Sequence, residues 1–79
     1  MKINIQDIIT LNDNREYVVV SKVLIQNKEY ICIIDIIDHT NLKYAEIKKD
    51  HIIIINKDEK ELLEILIPLF YKNSYNKIN

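Results

Sequence analysis

Not one of the 79 residues is glycine, and that absence narrows both the fold and the chemistry open to the chain. Phosphate-cradling loops, dinucleotide-binding turns and the strained nucleophile elbow all need glycine where backbone approaches a ligand or adopts positive φ. Those enzyme classes are excluded. Turns must instead be made by Asn and Asp, the other residues that tolerate the left-handed region. Polar clusters of this kind recur at Asn12-Asp13-Asn14, Gln26-Asn27-Lys28, Asp38-His39-Thr40-Asn41 and Lys49-Asp50. Asn27 is the expected left-handed residue in the hairpin between the two longest apolar runs.

The runs between those clusters are short and rich in Val, Ile and Tyr, which suits pleated, half-buried strands and is too short for helices. Strands are predicted at Ile8–Leu11, Glu16–Ile25, Glu29–Ile37, Leu42–Lys48 and His51–Ile55. Connections of two to four residues join antiparallel neighbours, because a parallel crossover needs about a dozen residues or more. After Asn56 the period changes. Leu62, Ile65, Leu66, Leu69 and Phe70 fall at i, i+3, i+4, i+7 and i+8, one face of a helix. Asn56 or Asp58 is placed to cap it, Glu59 and Glu61 suit its first turn and Lys72 its end, so the helix is predicted over Asp58–Tyr71. Pro68 removes the amide that would donate to Glu64, which predicts a kink or a break there.

The fold class expected is therefore α+β: a mainly antiparallel sheet of about five strands with one C-terminal amphipathic helix. A chain of this length holds one core, assigned to residues 1–72, with residues 73–79 as a flexible tail. Apolar residues make up 48% and charged residues 29% of the chain, a globular composition. Isoleucine, asparagine and lysine supply nearly half of all residues, as an AT-rich genome would produce.

The net charge of −1 suits neither nonspecific nucleic-acid binding nor nucleic-acid mimicry. The single cysteine, Cys32, lies in an apolar run and is read as a small core residue. The segment Met1 to Asp7 lacks the apolar stretch of a signal peptide, and no segment has the length of a membrane span, so the cytoplasm is the expected location. No cofactor or metal is expected. His39 and His51 should lie at opposite ends of the sheet, while Asp35, Asp38 and His39 lack a further ligand nearby. Acidic pairs along Asp58–Glu64 are explained by helix capping. Ser21 and Ser74 have no base at a recognisable spacing, and the chain is read as non-enzymatic.

What the pattern leaves over is apolar surface. The third strand would carry Tyr30, Cys32, Ile34 and Ile36 on one face and Ile31, Ile33, Asp35 and Ile37 on the other, and Ile52 to Ile55 are apolar on both. One helix covers only one face. The other must curl into a barrel, meet the N-terminal segment or meet another molecule. Tyr17, Tyr30, Ile31, Ile33, Tyr44 and Ile53 are the residues expected to contact a partner protein or a second copy. A nucleic-acid platform of Tyr17, Tyr30 and Tyr44 with Lys22, Lys28 and Lys43 is a weaker alternative, since Glu16, Glu29 and Glu46 intersperse the lysines.

The segments Glu16-Tyr17-Val18-Val19-Val20-Ser21-Lys22-Val23 and Asn27-Lys28-Glu29-Tyr30, followed by Asp58 through Leu69-Phe70, resemble small uncharacterised bacterial and phage proteins of low-GC Gram-positive type. The resemblance implies a strand meander closed by an acidic-then-leucine helix and supplies no catalytic residues. Small proteins of such origin often bind and block a host machine. The expected function is a protein-binding inhibitor acting by steric occupation, such as an anti-CRISPR-like inhibitor of a defence nuclease, with a homodimeric housekeeping domain as the alternative.

Overall fold

A computed structural model describes residues 2–78, with side chains placed over 2–73. The chain forms β1 (Ile8–Thr10), β2 (Glu16–Ile25), β3 (Lys28–Asp35), β4 (Leu42–Lys48), β5 (His51–Ile54) and α1 (Lys60–Ile78). The five strands make one curled sheet in the order β1-β2-β3-β4-β5, every neighbouring pair antiparallel. This is the α+β meander that the short connections require. The expected tail falls outside the described side chains except for Asn73, which lies within α1 and donates Nδ2 to Lys22 O at 2.6 Å.

The strand ends have local causes. β3 stops at Asp35 because its Oδ1 accepts the amides of Ile37 and Asp38, at 2.8 and 3.2 Å, an Asx turn that competes with the ladder. Positive φ falls on Gln6, Asn14, Gln26, Asn27 and Lys49. Asn14 and Asn27 are the residue type expected there; Gln6, Gln26 and Lys49 are not. Ile25 pairs directly with Lys28, and a two-residue hairpin of that kind takes positive φ at both central positions whatever residues occupy them. The first intrahelical amide, from Leu63, reaches the Glu59 carbonyl at 3.0 Å, so Glu59 takes the capping position predicted for Asn56 or Asp58. α1 runs through Pro68 without a break.

One irregularity decides which side chains go where. Val19 pairs with Ile33 but Ser21 pairs with Cys32, leaving Val20 as a bulge. A bulge inserts one residue and reverses the alternation beyond it. Tyr17 and Val19 consequently point to the concave side of the sheet, with Ile31, Ile33, Ala45 and Ile47. Beyond the bulge, Val23 joins Tyr30 and Cys32 under the helix, against Leu66 and Phe70. Ser21 follows it and donates its hydroxyl to Phe70 O at 2.8 Å.

The sheet is thus covered on its concave side and on part of its convex side within one chain. On the concave side the cover comes from the curl itself and from the N-terminal segment. Ile3 is buried there, Lys22 Nζ donates to Ile3 O at 2.8 Å, and Gln6 N and Asp7 O bond to the backbone of Val19. On the convex side α1 covers the half of the sheet around Val23 and Tyr30. The other half of that face is left open.

Candidate docking surface

On the open half, the strand register aligns four apolar side chains. Ile8 pairs with Val18, Val18 with Ile34 and Ile34 with Leu42. They form one row across four strands on the convex face. Ile8 is 58% and Leu42 39% exposed. With strands about 4.8 Å apart, three spacings make the row about 14 Å long.

The row runs up to the helix. Ile67 and Tyr71, one turn apart, lie beside the buried stripe of Leu66 and Phe70 and are 43% and 72% exposed. Between helix and row is a groove of about 360 Å³. Its floor is Cys32 and Tyr44, one wall Ile34 and Leu42, the other Ile67 and Tyr71. The floor is held in place because the Tyr44 ring stacks on Phe70, with centroids 5.5 Å apart and planes at 18°. Burial pushes the Cys32 thiol up to about 11, so it stays protonated and is neither a nucleophile nor a ready metal ligand. The groove offers mainly apolar contact.

The polar residues that drew attention in the sequence are used structurally. Asp35 is 1% exposed; its Oδ2 accepts from Arg15 Nη1 at 2.7 Å and Asn41 Nδ2 at 3.2 Å. The Arg15 guanidinium first, then the Ile37 amide, hold the Asp35 carboxyl well below the usual carboxylate range. Tyr17 donates its hydroxyl to Asp13 Oδ2 at 2.7 Å and accepts from Asn41 at 3.2 Å. Burial and then the Asp13 bond raise the Tyr17 pKa. This network locks the β1–β2 turn to the β3–β4 loop and leaves no ligand side open on Asp35. His39 Nε2 lies 3.2 Å from Ile36 O in the β3–β4 loop, whereas His51 opens β5 after the following hairpin. Among the described residues no three His, Cys, Asp or Glu side chains gather as a metal site, and no helix is long and apolar enough to cross a membrane.

Of the six side chains expected at a partner contact, Tyr17, Ile31 and Ile33 have no exposed surface and Tyr30 has 5%. In this conformation those four build the two cores and offer nothing to a partner. Tyr44 is in the groove floor. Ile53 is 46% exposed on the edge strand β5. The three tyrosines share no open face: Tyr17 is on the concave side, Tyr30 and Tyr44 under the helix. Lys22 is engaged by Glu29 at 3.0 Å. Ile8, Val18 and Leu42 were missed because strand parity separates them from the core only once the register is known, and Ile67 and Tyr71 because they lie off the main helical stripe. The one sequence signal was the spacing of Ile67 and Tyr71 beside the main helical stripe. Comparisons with protein-family models, curated proteins and solved structures give no match.

Proposed function

We propose that this protein is a non-enzymatic binding module that docks an apolar helical segment of a partner protein in the slot beside α1. The observation that carries the reading is the aligned row Ile8, Val18, Ile34 and Leu42, whose Ile34 and Leu42 face Ile67 and Tyr71 across the groove. The uncovered half of the convex face has the place a second helix would take next to the first. Its length of about 14 Å corresponds to about nine residues of helix at 1.5 Å each. Isoleucine, leucine and tyrosine with one wet side suit an amphipathic helix laid into a groove. Steric inhibition of a larger machine, a defence nuclease in the anti-CRISPR manner, is the biological form suggested by the small phage proteins this chain resembles.

The test is affinity capture from a lysate of the source organism with wild type, Leu42→Lys and Tyr71→Lys. Both positions are exposed, so the fold should survive each change. A partner held by wild type should be weakened about tenfold or more by either lysine, the effect of losing about 1.4 kcal/mol. Amide exchange on the complex should protect α1 around Ile67 and the strands carrying Val18 and Leu42. Retention of the same partner by both variants refutes the reading. Self-association abolished by both lysines, with no other partner, would replace it with the homodimer alternative.

A further inference from the structure

A second surface stands apart from the groove. β5 is the last strand of the sheet and is bonded only to β4. Ile55 N donates to Tyr44 O at 2.8 Å. By antiparallel alternation the amide and carbonyl of Ile53 also turn towards β4, while those of Ile52 and Ile54 turn outward. Among the described residues no backbone bond reaches them.

Natural edge strands are blunted by a charge, a proline or a bulge. β5 reads His-Ile-Ile-Ile with none of these inside it, and Ile53 and Ile54 are 46% and 37% exposed. The opposite edge is treated differently. β1 has three residues and follows a kink at Gln6, φ 80°, before which the chain turns under the sheet and buries Ile3. β5 is the edge that keeps three consecutive isoleucines.

We infer that β5 pairs antiparallel with β5 of a second copy, about a twofold axis at Ile53, joining two sheets into one of ten strands. The occupant is identified by self-complementarity. With Ile53 opposite Ile53 of the second copy, Ile52 lies opposite Ile54 of the second copy and the reverse. Every outward amide and carbonyl of the four residues then finds a partner, giving four backbone hydrogen bonds. A shift of the axis by one residue in either direction leaves half of those β5 groups facing turn or connector residues. The side-chain contacts of this register are isoleucine on isoleucine, and Asp50 and Asn56 close the run at both ends opposite each other. At the end nearest β1, a cleft of about 260 Å³ separates Thr10–Asn12 from Asp50–Ile52. This surface is independent of the groove beside α1.

The test is sedimentation of the full chain across concentration, with amide exchange by NMR. Wild type should pass from 9.4 kDa to twice that mass with rising concentration. Exchange at Ile52 and Ile54 should slow in step. Ile54→Pro removes an outward amide without touching the β4 ladder, and Ile53→Lys sets two cations on the axis; each should leave a folded monomer. If Ile54→Pro does not fold, Ile53→Lys decides. A wild type monomeric at every soluble concentration, a dimer unchanged in a folded variant, or exchange at Ile52 and Ile54 independent of concentration overturns the inference. A dimer dissolved by Leu42→Lys instead also overturns it, since that contact would lie on the convex row.

Discussion

Replacing Pro68 with alanine should make this protein more stable, and the gain can be worked from its position. Pro68 sits inside α1 on the solvent side, bordering a shallow hollow with Lys60, Glu64 and Ile67. Its ring is exposed, so little packing is lost with it. It leaves the Glu64 carbonyl without its helical donor, and an interior proline costs a helix about 3 kcal/mol through that loss and the clash with the preceding turn. Alanine restores the amide. Against this, the unfolded chain regains freedom worth about 0.4–1 kcal/mol. The net gain is about 2 kcal/mol, which for a domain this small raises Tm by about 8–16 °C. Thermal unfolding followed by far-UV circular dichroism, with the urea midpoint as a second reading, measures it. A Pro68→Ala variant no more stable than wild type would refute the reasoning. It would mean that a bend at Pro68 is needed to seat Leu66 and Phe70 on the curled sheet together, a gain that offsets the proline's cost.

Two further predictions rest on the loops. The folded-state pKa of Asp35 is depressed, by Arg15 first and the Ile37 amide second. Its stabilisation is therefore complete above the unfolded value of about 3.9 and is lost as pH falls through the folded value. Asp35→Asn should lower Tm at pH 7 and flatten the decline below about pH 4. Asp13 and Asp38, shifted in the same direction, keep some slope in the variant; parallel curves for the two proteins would count against the network. Lys49 holds φ at 55°, a region costing a residue with a Cβ about 1–2 kcal/mol. Lys49→Gly should stabilise by about 0.5–1 kcal/mol after glycine's entropy is charged to the unfolded state. Lys48→Gly, one residue earlier in regular strand, should destabilise, and urea midpoints distinguish the two.

The elements were legible because each depends on local pattern. Short β-branched runs between Asn- and Asp-bearing clusters placed all five strands to within two residues, and the 3.6-residue spacing of Leu62, Leu66 and Phe70 placed the helix. Partnership across the sheet was not legible, because the bulge at Val20 exchanges inside for outside halfway along β2, and no residue type at that position announces it. Tyr17 shows the consequence. An aromatic on a strand reads as a contact residue, yet here it lies opposite Asp35, with its ring enclosed and its hydroxyl bonded to Asp13 and Asn41. The row from Ile8 to Leu42 is a property of register across four strands and has no counterpart in any one segment.

The isoleucine excess can now be divided by position. Compositional bias places isoleucine wherever it is tolerated, and bias alone would scatter the exposed ones. Ile3, Ile31, Ile33, Ile47 and Ile55 are buried and need no further explanation. Of the exposed ones, Ile8 lies in the convex row that ends at Leu42, Ile67 lines the groove with Tyr71, and Ile53 and Ile54 share one strand edge. Ile36, Ile37 and Ile65, 37%, 88% and 57% exposed, belong to neither group. Single exposed isoleucines are ordinary, whereas clustered ones cost solubility unless something covers them. Ile37 and Ile65 are therefore the internal controls for both surfaces. Polar replacement at either should change neither capture nor self-association, and if it changed them as much as Leu42→Lys or Ile53→Lys does, the apolar surface would be acting as a whole and neither cluster would be a site.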